Sequence, residues 1–572
     1  MIEAIPPTSP SELDAAIQAL QDAKARFARL SLPERLQLLD AAMEAMERVE
    51  NAWVSKACEA KGIPEGTSTE GEEWIGGPMM VQRNLRLLRR TLCDIRDYGL
   101  PQLRDEDAVR VAANGQTVVD VFPFEPFDKV MYQGFSAEIW MEPEITPGNL
   151  RDNMAAVYRD DADRSGAVSL VLGAGNVASI GPMDVLYKLF AENEVCLLKM
   201  NPVNEYLGPF IEEAFAAFVQ AGFLRVVYGG AEVGDYLCKH EGVETIHITG
   251  SDKTHDVIVW GPPGAEQDER KKKGEPINTK PITSELGNVS PVIVVPGPWS
   301  AKDVAFQAAN VATMVANNAS FNCNAAKVII QQKDWEHRDT FIEAVEQTLA
   351  GAPTRKAYYP GAAERYERWM AAHPEAKPVA ERTEDVLPWT IARDVDSSNH
   401  DDVCFTTEAF CGVLTETSLD TDDPVSFLKT AVDYCNNHIW GTLNVTMIVH
   451  PKTMKEPGMV EAVENAVADL KYGTVAINHW AALAYGLVVT TWGAHPGHTL
   501  DDIQSGRGVV HNVLLFDKPQ KTVVRGPFRM PMKPPWFVTN KATHRLGPRL
   551  SAFEKDPNIF RFLGIAVNSL GG

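Results

Sequence analysis

Apolar residues recur at helical spacing through the first 60 residues of the chain. They recur in two runs, first Ala15, Ile17, Leu20, Ala23 and Phe27 and then Leu36, Leu38, Leu39, Ala42 and Met46. Pro33 stands between the two runs, where proline suits the first turn of a helix. This spacing predicts helix over residues 11–60, divided near Pro33.

The pattern changes over residues 116–143, where apolar residues become denser and β-branched or aromatic. Residues 117–123 and 137–141 are each predicted as a strand. Two such strands in sequence form a long hairpin. That hairpin either extends from the subunit as an oligomerisation arm or forms an edge ribbon of the same domain, and the sequence leaves both interpretations open.

Short apolar strands alternate with helical segments from residue 167 onwards, which predicts a parallel sheet wrapped by helices. The predicted strands are 167–172, 194–199, 224–228 and 245–248, and the predicted helices are 182–191, 207–221 and 234–239. The charged run 266–273 interrupts this alternation. Because its cations stand beside acids, we interpret it as a solvated loop and not as a nucleic-acid patch.

A second alternation begins at residue 291 and predicts another α/β domain. Its strands are 291–295, 327–331, 441–449 and 473–478, with helices at 302–317 and 335–350. Residues 351–400 are polar and are predicted to be irregular. The tail from residue 520 is rich in proline and basic residues, and we predict that it wraps another subunit or domain.

Composition narrows the class of protein. The 572 residues suffice for two to four domains, and 45% hydrophobic with 23% charged residues is ordinary for a soluble globular protein. The net charge of −23 argues against a nucleic-acid partner. No apolar run reaches the ~20 residues that span a bilayer. The N-terminus does not resemble a signal peptide, and eight scattered cysteines favour a reduced, cytoplasmic compartment.

Cys323 carries the strongest chemical signal in the chain. Small and amide residues surround it in Asn317-Asn318-Ala319-Ser320-Phe321-Asn322-Cys323-Asn324, so a substrate can approach the sulfur closely. Most cysteines are buried structural thiols, but Asn322 and Asn324 make this a poor apolar core position. A nucleophilic sulfur together with the amide of Asn176 and the carboxylates of Glu285 and Glu408 indicates thiol chemistry on a carbonyl.

The segment Gly173-Ala174-Gly175-Asn176-Val177-Ala178 follows a predicted strand and precedes a helix. It fits the loose dinucleotide pattern G-x-G-x-x-A, although a plain tight turn between strand and helix fits as well. Lys199 ends the next strand, where it can bind ribose hydroxyls or attract a 2′-phosphate. Gly250 and Ser251 follow a further strand and can face a pyrophosphate.

His495 and His498 lie in the only segment that invites a metal interpretation. Two histidines without a carboxylate or cysteine ligand at suitable spacing are weak evidence for such a site. We therefore predict no metal and interpret the loop as structural.

These segments, taken together and in order, resemble the aldehyde dehydrogenase superfamily from about residue 10 to residue 510. The resemblance is carried by six segments: Gly175-Asn176, Leu198-Lys199, Thr249-Gly250-Ser251, Ser284-Glu285-Leu286-Gly287, Asn318 to Cys323, and Glu408-Ala409-Phe410. It implies a Rossmann-type α/β cofactor domain, an α/β catalytic domain and a β-hairpin oligomerisation arm.

The resemblance also implies boundaries along the chain. Residues 1–115 are the N-terminal helical part of the cofactor-binding domain, and 116–165 are the hairpin and its connection. The NAD(P)-binding domain spans 166–284, the catalytic domain spans 285–480, and 481–572 return to the cofactor domain and end in the tail.

The same resemblance implies roles for the site residues. Cys323 attacks the aldehyde carbonyl, and the Asn176 side chain with the Cys323 backbone N–H holds the oxyanion. Glu285 activates the thiol or the hydrolytic water. Lys199, Gly250 and Ser251 contact NAD or NADP at its adenosine and pyrophosphate end, while Glu408 and Phe410 contact the nicotinamide ribose and ring.

Several departures from the family pattern bear on cofactor and acceptor. Pro202 stands where a glutamate commonly discriminates against NADP, and Gly287-Asn288-Val289 replaces Gly-Gly-Lys. Gly175-Asn176-Val177 and Gly287-Asn288 look somewhat like coenzyme-A-acylating reductases. Those relatives typically lack the glutamate that Glu285 provides, which favours hydrolysis to the acid.

The sequence thus predicts an NAD(P)-dependent aldehyde dehydrogenase that forms a homodimer or homotetramer. One alternative is a CoA-dependent acylating enzyme, and another is a non-catalytic binding protein on the same fold.

Overall fold

The computed structural model describes residues 4–569 and 572. The strands, numbered in chain order, are β1 Val109–Val111, β2 Thr117–Phe122, β3 Ser136–Met141, β4 Val168–Leu172, β5 Val195–Lys199, β6 Leu224–Val227, β7 Thr245–Gly250, β8 Ile282–Leu286, β9 Ser290–Val294, β10 Ala326–Gln332, β11 Lys377–Pro378, β12 Thr390–Val395, β13 Val413–Leu419, β14 Asn444–Ile448, β15 Thr474–Ile477, β16 Trp492–Gly493, β17 Gly506–Arg507, β18 Val509–Val510 and β19 Pro519–Arg525.

Helices cover both faces of these strands. The α-helices are α1 Pro10–Ala28, α2 Leu32–Lys61, α3 Glu70–Trp74, α4 Met80–Tyr98, α5 Pro126–Met131, α6 Ile180–Phe190, α7 Gly208–Ala214, α8 Ala216–Gln220, α9 Ala231–Lys239, α10 Asp252–Trp260, α11 Ala265–Lys273, α12 Ala301–Ala316, α13 Arg338–Ala350, α14 Ala362–Ala372, α15 Val403–Thr406, α16 Pro424–His438, α17 Met459–Asp469, α18 Ala482–Leu487, α19 Thr543–Lys555 and α20 Ile559–Ser569. None of the helices in the described part of the chain combines the length and apolar character needed to cross a membrane.

The first sheet has six strands in the order β17-β8-β7-β4-β5-β6. Strands β8, β7, β4, β5 and β6 run parallel, and only β17 is antiparallel. Their carboxyl ends therefore meet at one edge, which is where ligands bind in open α/β sheets. The alternation that the sequence predicts from residue 167 is confirmed. The single helix predicted over 207–221 is wrong in one respect, because non-helical backbone at Phe215 divides it into α7 and α8.

The second sheet has eleven strands in the order β1-β2-β3-β19-β15-β14-β9-β10-β13-β12-β11. Its central strands run parallel and bury side chains on both faces: Ile293 packs into one hydrophobic cluster, and its neighbours Val292 and Val294 pack into the other. Such double burial is typical of a parallel sheet covered by helices. The second α/β unit predicted from residue 291 is confirmed.

The predicted hairpin strands β2 and β3 pair in antiparallel fashion, as expected. They lie in the large sheet of the same chain, where β3 also pairs with β19. Five of the six residues of β2 and five of the six residues of β3 are buried, so the hairpin is part of the subunit itself. Its role in oligomerisation stays a prediction.

Two loop predictions are wrong. The charged run 266–273 lies in helix α11, where Glu266 pairs with Arg270 and Glu269 with Lys273 one turn apart. Acids in its first turn and bases in its last turn also complement the helix dipole. The segment 351–400 is not irregular throughout, since it contains α14 and β12. Helix α14 forms because Tyr366 and Trp369 bury one face of an otherwise charged segment.

The tail after residue 520 packs on this chain's own helices. Glu554 of α19 accepts hydrogen bonds from Arg83 at 2.9 Å and from Arg86 at 2.5 Å, both in α4. All three side chains are largely buried. The tail therefore stabilises the N-terminal helices, and contact with another subunit remains a prediction.

Candidate active site

The site is a cavity of about 930 Å³ between the two sheets. On one side lies the carboxyl edge of the six-stranded sheet. On the other side lie the segments that precede β9, β10 and β13, three strands that run parallel to one another. All eight residues predicted for the site line this one cavity: Asn176, Lys199, Gly250, Ser251, Glu285, Cys323, Glu408 and Phe410.

Cys323 is presented by a loop with an unusual backbone. The three consecutive residues Asn318, Ala319 and Ser320 have φ values of 50°, 56° and 67°. Non-glycine residues rarely adopt this left-handed conformation, and each costs of order 1–3 kcal/mol unless the surroundings hold it. The turn directs the chain from α12 into β10 and leaves the half-buried Cys323 thiol at the cavity wall.

The Cys323 thiol needs a base because its surroundings favour the protonated form. Burial raises the pKa of the Cys323 thiol well above its ordinary value, and the adjacent Glu285 carboxyl, which hydrogen-bonds the thiol, raises it further. A thiolate is the nucleophilic form. The same carboxyl that opposes ionisation is therefore the group placed to accept the proton.

Glu285 lies in β8 and is only 4% exposed. Burial raises its pKa to about 7, against the lowering effect of hydrogen bonds from Cys323 and Trp492. A carboxyl with a pKa near neutrality exchanges protons readily at physiological pH, which is what a general base requires. The pair Cys323–Glu285 is thus equipped for proton transfer between thiol and carboxylate.

Asn176 sits on the turn after β4 and is buried. Its side-chain nitrogen donates a hydrogen bond of 2.9 Å to the carbonyl oxygen of Phe321, in the Cys323 loop. Within the described residues this is the single acceptor of that amide, so one N–H remains for a ligand in the cavity. The turn and the cysteine loop are therefore in direct contact, as an oxyanion role requires.

The outer part of the cavity suits the phosphates and ribose of a dinucleotide. Lys199 ends β5 and is 8% exposed, and burial lowers its pKa. Ser251 caps α10 by accepting a hydrogen bond of 3.2 Å from the Thr254 N–H. Residues 251–254 at this helix start line the cavity, and the N–H groups at the start of a helix favour an anion. The residue types present thus fit NAD or NADP.

Glu408 and Gly287 form a tight contact at the inner part of the cavity. A Cβ at Gly287 would collide with the Glu408 carboxylate, so only glycine permits this approach. Burial raises the pKa of Glu408 to about 7, and the nearby buried Lys327 has its pKa lowered to about 8, chiefly by burial. Glu408 Oε1 is buried without a hydrogen-bond partner among the described residues. Such an orphaned acceptor fits a ligand hydroxyl.

Phe410 follows with a left-handed backbone, φ 41°, that turns its ring toward the cavity. The guanidinium of Arg365 lies 5.8 Å from the ring centroid and donates to the Phe410 carbonyl at 3.2 Å. Sequence reasoning missed Arg365, which lies in a segment predicted to be irregular. It also missed Trp492 and Lys61, which reach the site from distant elements and carry no local motif.

The two histidines considered for a metal have protein partners. His498 Nε2 lies 2.8 Å from the Thr442 hydroxyl, and His495 Nδ1 lies 2.9 Å from the Pro496 carbonyl. A separate group of potential ligands, His373, Asp402 and Cys404, lies outside the cavity. There Asp402 bonds His373 at 2.9 Å and caps α15 through the Cys404 N–H at 2.9 Å.

The family model and the curated relatives that match this chain both consist of aldehyde dehydrogenases. The sequence model of the aldehyde dehydrogenase family matches residues 183–436. The 4-trimethylaminobutyraldehyde dehydrogenase of Mus musculus is 35% identical over 157 residues, which is 27% of this chain and 27% of that protein. The Homo sapiens protein of the same name is 30% identical over 153 residues, 26% of each chain. The match therefore spans about a quarter of the length of these curated relatives.

Solved structures match over a much larger part of the chain. The NADP-dependent glyceraldehyde-3-phosphate dehydrogenase of Bacillus halodurans, solved with NADP, has a TM-score of 0.61 at 18% identity and covers 91% of this chain and 92% of its own. Aldehyde dehydrogenase 21 of Physcomitrella patens, solved with succinate, has a TM-score of 0.59 at 15% identity and covers 91% of each chain. At such identities the likeness shows the fold, which is that of aldehyde dehydrogenases.

Proposed function

We propose that the chain is a member of the aldehyde dehydrogenase superfamily, whose family model matches residues 183–436 and whose fold it shares, and that it oxidises an aldehyde to a carboxylic acid with NAD or NADP. The observation that carries the proposal is that Cys323 and Glu285 line one cavity, where the Glu285 carboxyl is near enough to raise the pKa of the thiol. A thiol beside a carboxyl whose pKa is about 7 has the nucleophile and the base that aldehyde oxidation needs.

The first half of the reaction uses Cys323, Glu285 and Asn176. Glu285 accepts the thiol proton, and the sulfur forms a bond to the aldehyde carbon while the carbonyl oxygen becomes an oxyanion. The free N–H of the Asn176 amide and the Cys323 backbone N–H stabilise that charge. A bound nicotinamide would supply the hydride acceptor, and loss of hydride from this carbon leaves the Cys323 sulfur in a thioester.

The second half releases the acid. Glu285 first releases the thiol proton to solvent and then accepts a proton from water, and the resulting hydroxide adds to the thioester carbon. The carbon–sulfur bond breaks, and the leaving thiolate takes the proton from Glu285 to regenerate the thiol. Lys199, Ser251 and the start of α10 would hold the cofactor's ribose and phosphates, and Glu408 would bind the nicotinamide ribose through its orphaned oxygen. Phe410 would lie beside the nicotinamide.

A panel of aldehydes, tested with NAD and NADP, examines this proposal. We expect absorbance from the reduced cofactor and a carboxylic acid product. Cys323→Ala should abolish turnover and retain cofactor binding, whereas Cys93→Ala, at a half-buried cysteine outside the cavity, should leave turnover intact. Substantial turnover by Cys323→Ala would exclude the proposed nucleophile.

The same assay separates the alternatives. Acyl-CoA as the main product when CoA is added would favour the acylating enzyme over hydrolysis. Cofactor binding without turnover on any aldehyde would favour a binding protein. The homodimer or homotetramer and the cytoplasmic location stay predictions, which light scattering of the purified protein and cell fractionation test.

A further inference from the structure

Lys61, the last residue of α2, reaches the site from the N-terminal helices. Its side chain is 6% exposed, and its ammonium lies 2.8 Å and 3.0 Å from the two carboxylate oxygens of Glu73. The same ammonium donates at 3.2 Å to the Asn176 carbonyl oxygen and at 3.1 Å to Asn318 Oδ1. One buried cation therefore bridges the turn after β4, which carries Asn176, and the loop that carries Asn318 and Cys323.

Tyr358 completes the bridge from the opposite side. Its hydroxyl lies 3.1 Å from the Asn176 carbonyl oxygen and 2.9 Å from Asn318 Oδ1, so its single proton serves the same two acceptors as Lys61. Burial raises the pKa of Tyr358 well above its ordinary value, which keeps the hydroxyl a donor. The Lys61 ammonium also lies 5.2 Å from the Tyr358 ring centroid.

Asn318 is the residue on which these contacts converge. Its side-chain nitrogen donates to the Asn176 carbonyl at 2.9 Å and to the Phe321 carbonyl at 3.1 Å. Its backbone N–H donates at 2.9 Å to Glu72, which is itself held by Arg355 at 2.5 Å. Asn318 is also the first of the three left-handed residues, where the backbone requires external support.

We propose that Lys61 is a positioning residue that fixes Cys323 relative to Asn176 through its bridge between their two loops. The inference extends the proposed function by assigning a site role to a helix outside the cavity lining. Carbonyl groups aimed at a buried cation cannot rotate without losing a charge-assisted hydrogen bond. Because Lys61 is paired with Glu73, the bridge adds no uncompensated buried charge.

The test replaces the ion pair by neutral groups of similar size in the full-length protein. Lys61→Met combined with Glu73→Gln leaves no unpaired charge, and such replacements of buried pairs are commonly tolerated by the fold. We expect kcat for aldehyde oxidation to fall by about 10- to 100-fold, as for a small misplacement of reacting groups, with the cofactor Kd changed less than about twofold.

Hydrogen–deuterium exchange measures the positioning directly and requires no activity. Backbone amides in residues 316–325 should exchange at least about fivefold faster in the double variant, while those in 404–411, on another wall of the cavity, should keep the parental rate. Since this readout does not involve an aldehyde, it decides the positioning role even if the parent protein proves not to be an aldehyde dehydrogenase.

A matched control replaces Lys188 by Met and both of its acidic partners, Glu192 and Glu194, by Gln. Lys188 is likewise buried, and its ammonium lies 2.5 Å from Glu192 and 3.7 Å from Glu194, but none of these side chains lines the cavity. This variant should keep kcat and the exchange rate of residues 316–325. Parental exchange and parental kcat in the folded Lys61/Glu73 variant would overturn the proposal, as would equally faster exchange throughout the protein.

Tyr358→Phe provides the second variant if the double substitution does not fold. It removes only the hydroxyl that shares both acceptors with Lys61 and keeps the ring in place. We expect kcat to fall about fivefold, as for loss of one hydrogen bond, with faster exchange confined to the same loop. Unchanged exchange in this loop would overturn the bridging role.

Discussion

Trp492 donates a hydrogen bond of 3.1 Å from its indole nitrogen to Oε1 of Glu285. The two residues are separated by 207 positions in the chain and are both nearly fully buried. A donor stabilises the charged carboxylate and lowers its pKa, whereas burial destabilises the charge and raises it. Burial is the larger effect, and the pKa of Glu285 settles at about 7.

The first prediction concerns the pH dependence of turnover. If Glu285 acts as the carboxylate, the rate of acyl-enzyme hydrolysis should rise with pH through about 7 and then level off. Trp492→Phe removes the donor, so the midpoint of this profile should move to higher pH. A pH–rate profile, measured where hydrolysis of the acyl-enzyme limits turnover, gives the midpoint for the parent and for the variant.

Trp389→Phe is the control for that shift. Trp389 is buried too, but its indole nitrogen has no hydrogen-bond partner among the described residues, and it lies outside the cavity. Its profile should match that of the parent. An unchanged or lower midpoint in Trp492→Phe would contradict the role of the indole.

Glu285→Gln should separate the two halves of the reaction. Hydride transfer precedes hydrolysis, so a pre-steady-state burst of reduced cofactor should persist while steady-state turnover collapses and the acyl-enzyme accumulates. A slower burst would show that Glu285 also deprotonates Cys323. Stopped-flow absorbance and mass spectrometry of the intact protein follow the two steps.

The stability of Glu285→Gln provides an internal check. A carboxyl whose pKa is higher in the folded than in the unfolded protein adds stability at pH values below its unfolded pKa. This added stability is lost as the pH rises through about 7, the pKa of Glu285 in the folded protein. Glutamine is neutral at every pH. The Tm of the variant should therefore resemble that of the parent at pH 4 and exceed it at pH 8. A lower Tm at both pH values would indicate a packing defect.

Asn176→Ala should lower kcat by about 10²- to 10³-fold, which is the usual effect of losing one oxyanion donor. The cofactor Kd should change far less. Asn204→Ala is a matched control, because that buried side chain supports the same turn by donating at 2.9 Å to the Ala174 carbonyl. Turnover of Asn204→Ala should stay near the parental value. A near-normal kcat in Asn176→Ala would exclude the oxyanion role.

Lys199→Ala should weaken NADP more than NAD. Lys199 is a buried cation at the cavity wall, and Pro202 provides no carboxylate to repel a 2′-phosphate. Titration of both oxidised cofactors against the parent and the variant compares the two losses directly. Equal losses, or no binding of NADP by the parent protein, would contradict the proposed cofactor tolerance.

Gly287→Ala tests the contact between Gly287 and Glu408. The added methyl group would displace the carboxylate that we propose binds the nicotinamide ribose, so the cofactor Kd should rise while the Tm changes little. Gly351→Ala, where the nearest atom lies 3.6 Å from the new Cβ, should leave the Kd unchanged. Parental cofactor affinity in Gly287→Ala would argue against Glu408 as a ribose ligand.

Local sequence predicted most elements of the fold, and the resemblance of its motifs to a known family supplied the candidate site residues. The strands ending at Lys199 and Gly250, and the segments around Glu285 and Cys323, were recognisable because strand and turn chemistry are set by neighbouring residues. The parallel alternation then placed the ends of β5 and β7, at Lys199 and Gly250, at one edge of the six-stranded sheet, whereas the Cys323 segment belongs to the other sheet. The structure does bring all eight predicted residues to one cavity.

Only the tertiary structure determined which distant side chains support the site and how the pKa values of its residues are shifted. Trp492 and Lys61 reach the site from elements 207 and 115 positions away from their partners Glu285 and Asn176, and no periodic pattern encodes such contacts. The near-neutral pKa of Glu285 arises from burial, a property of the packed chain and not of a segment. Likewise, helix α11 forms where composition suggested a loop, because its charges pair one turn apart.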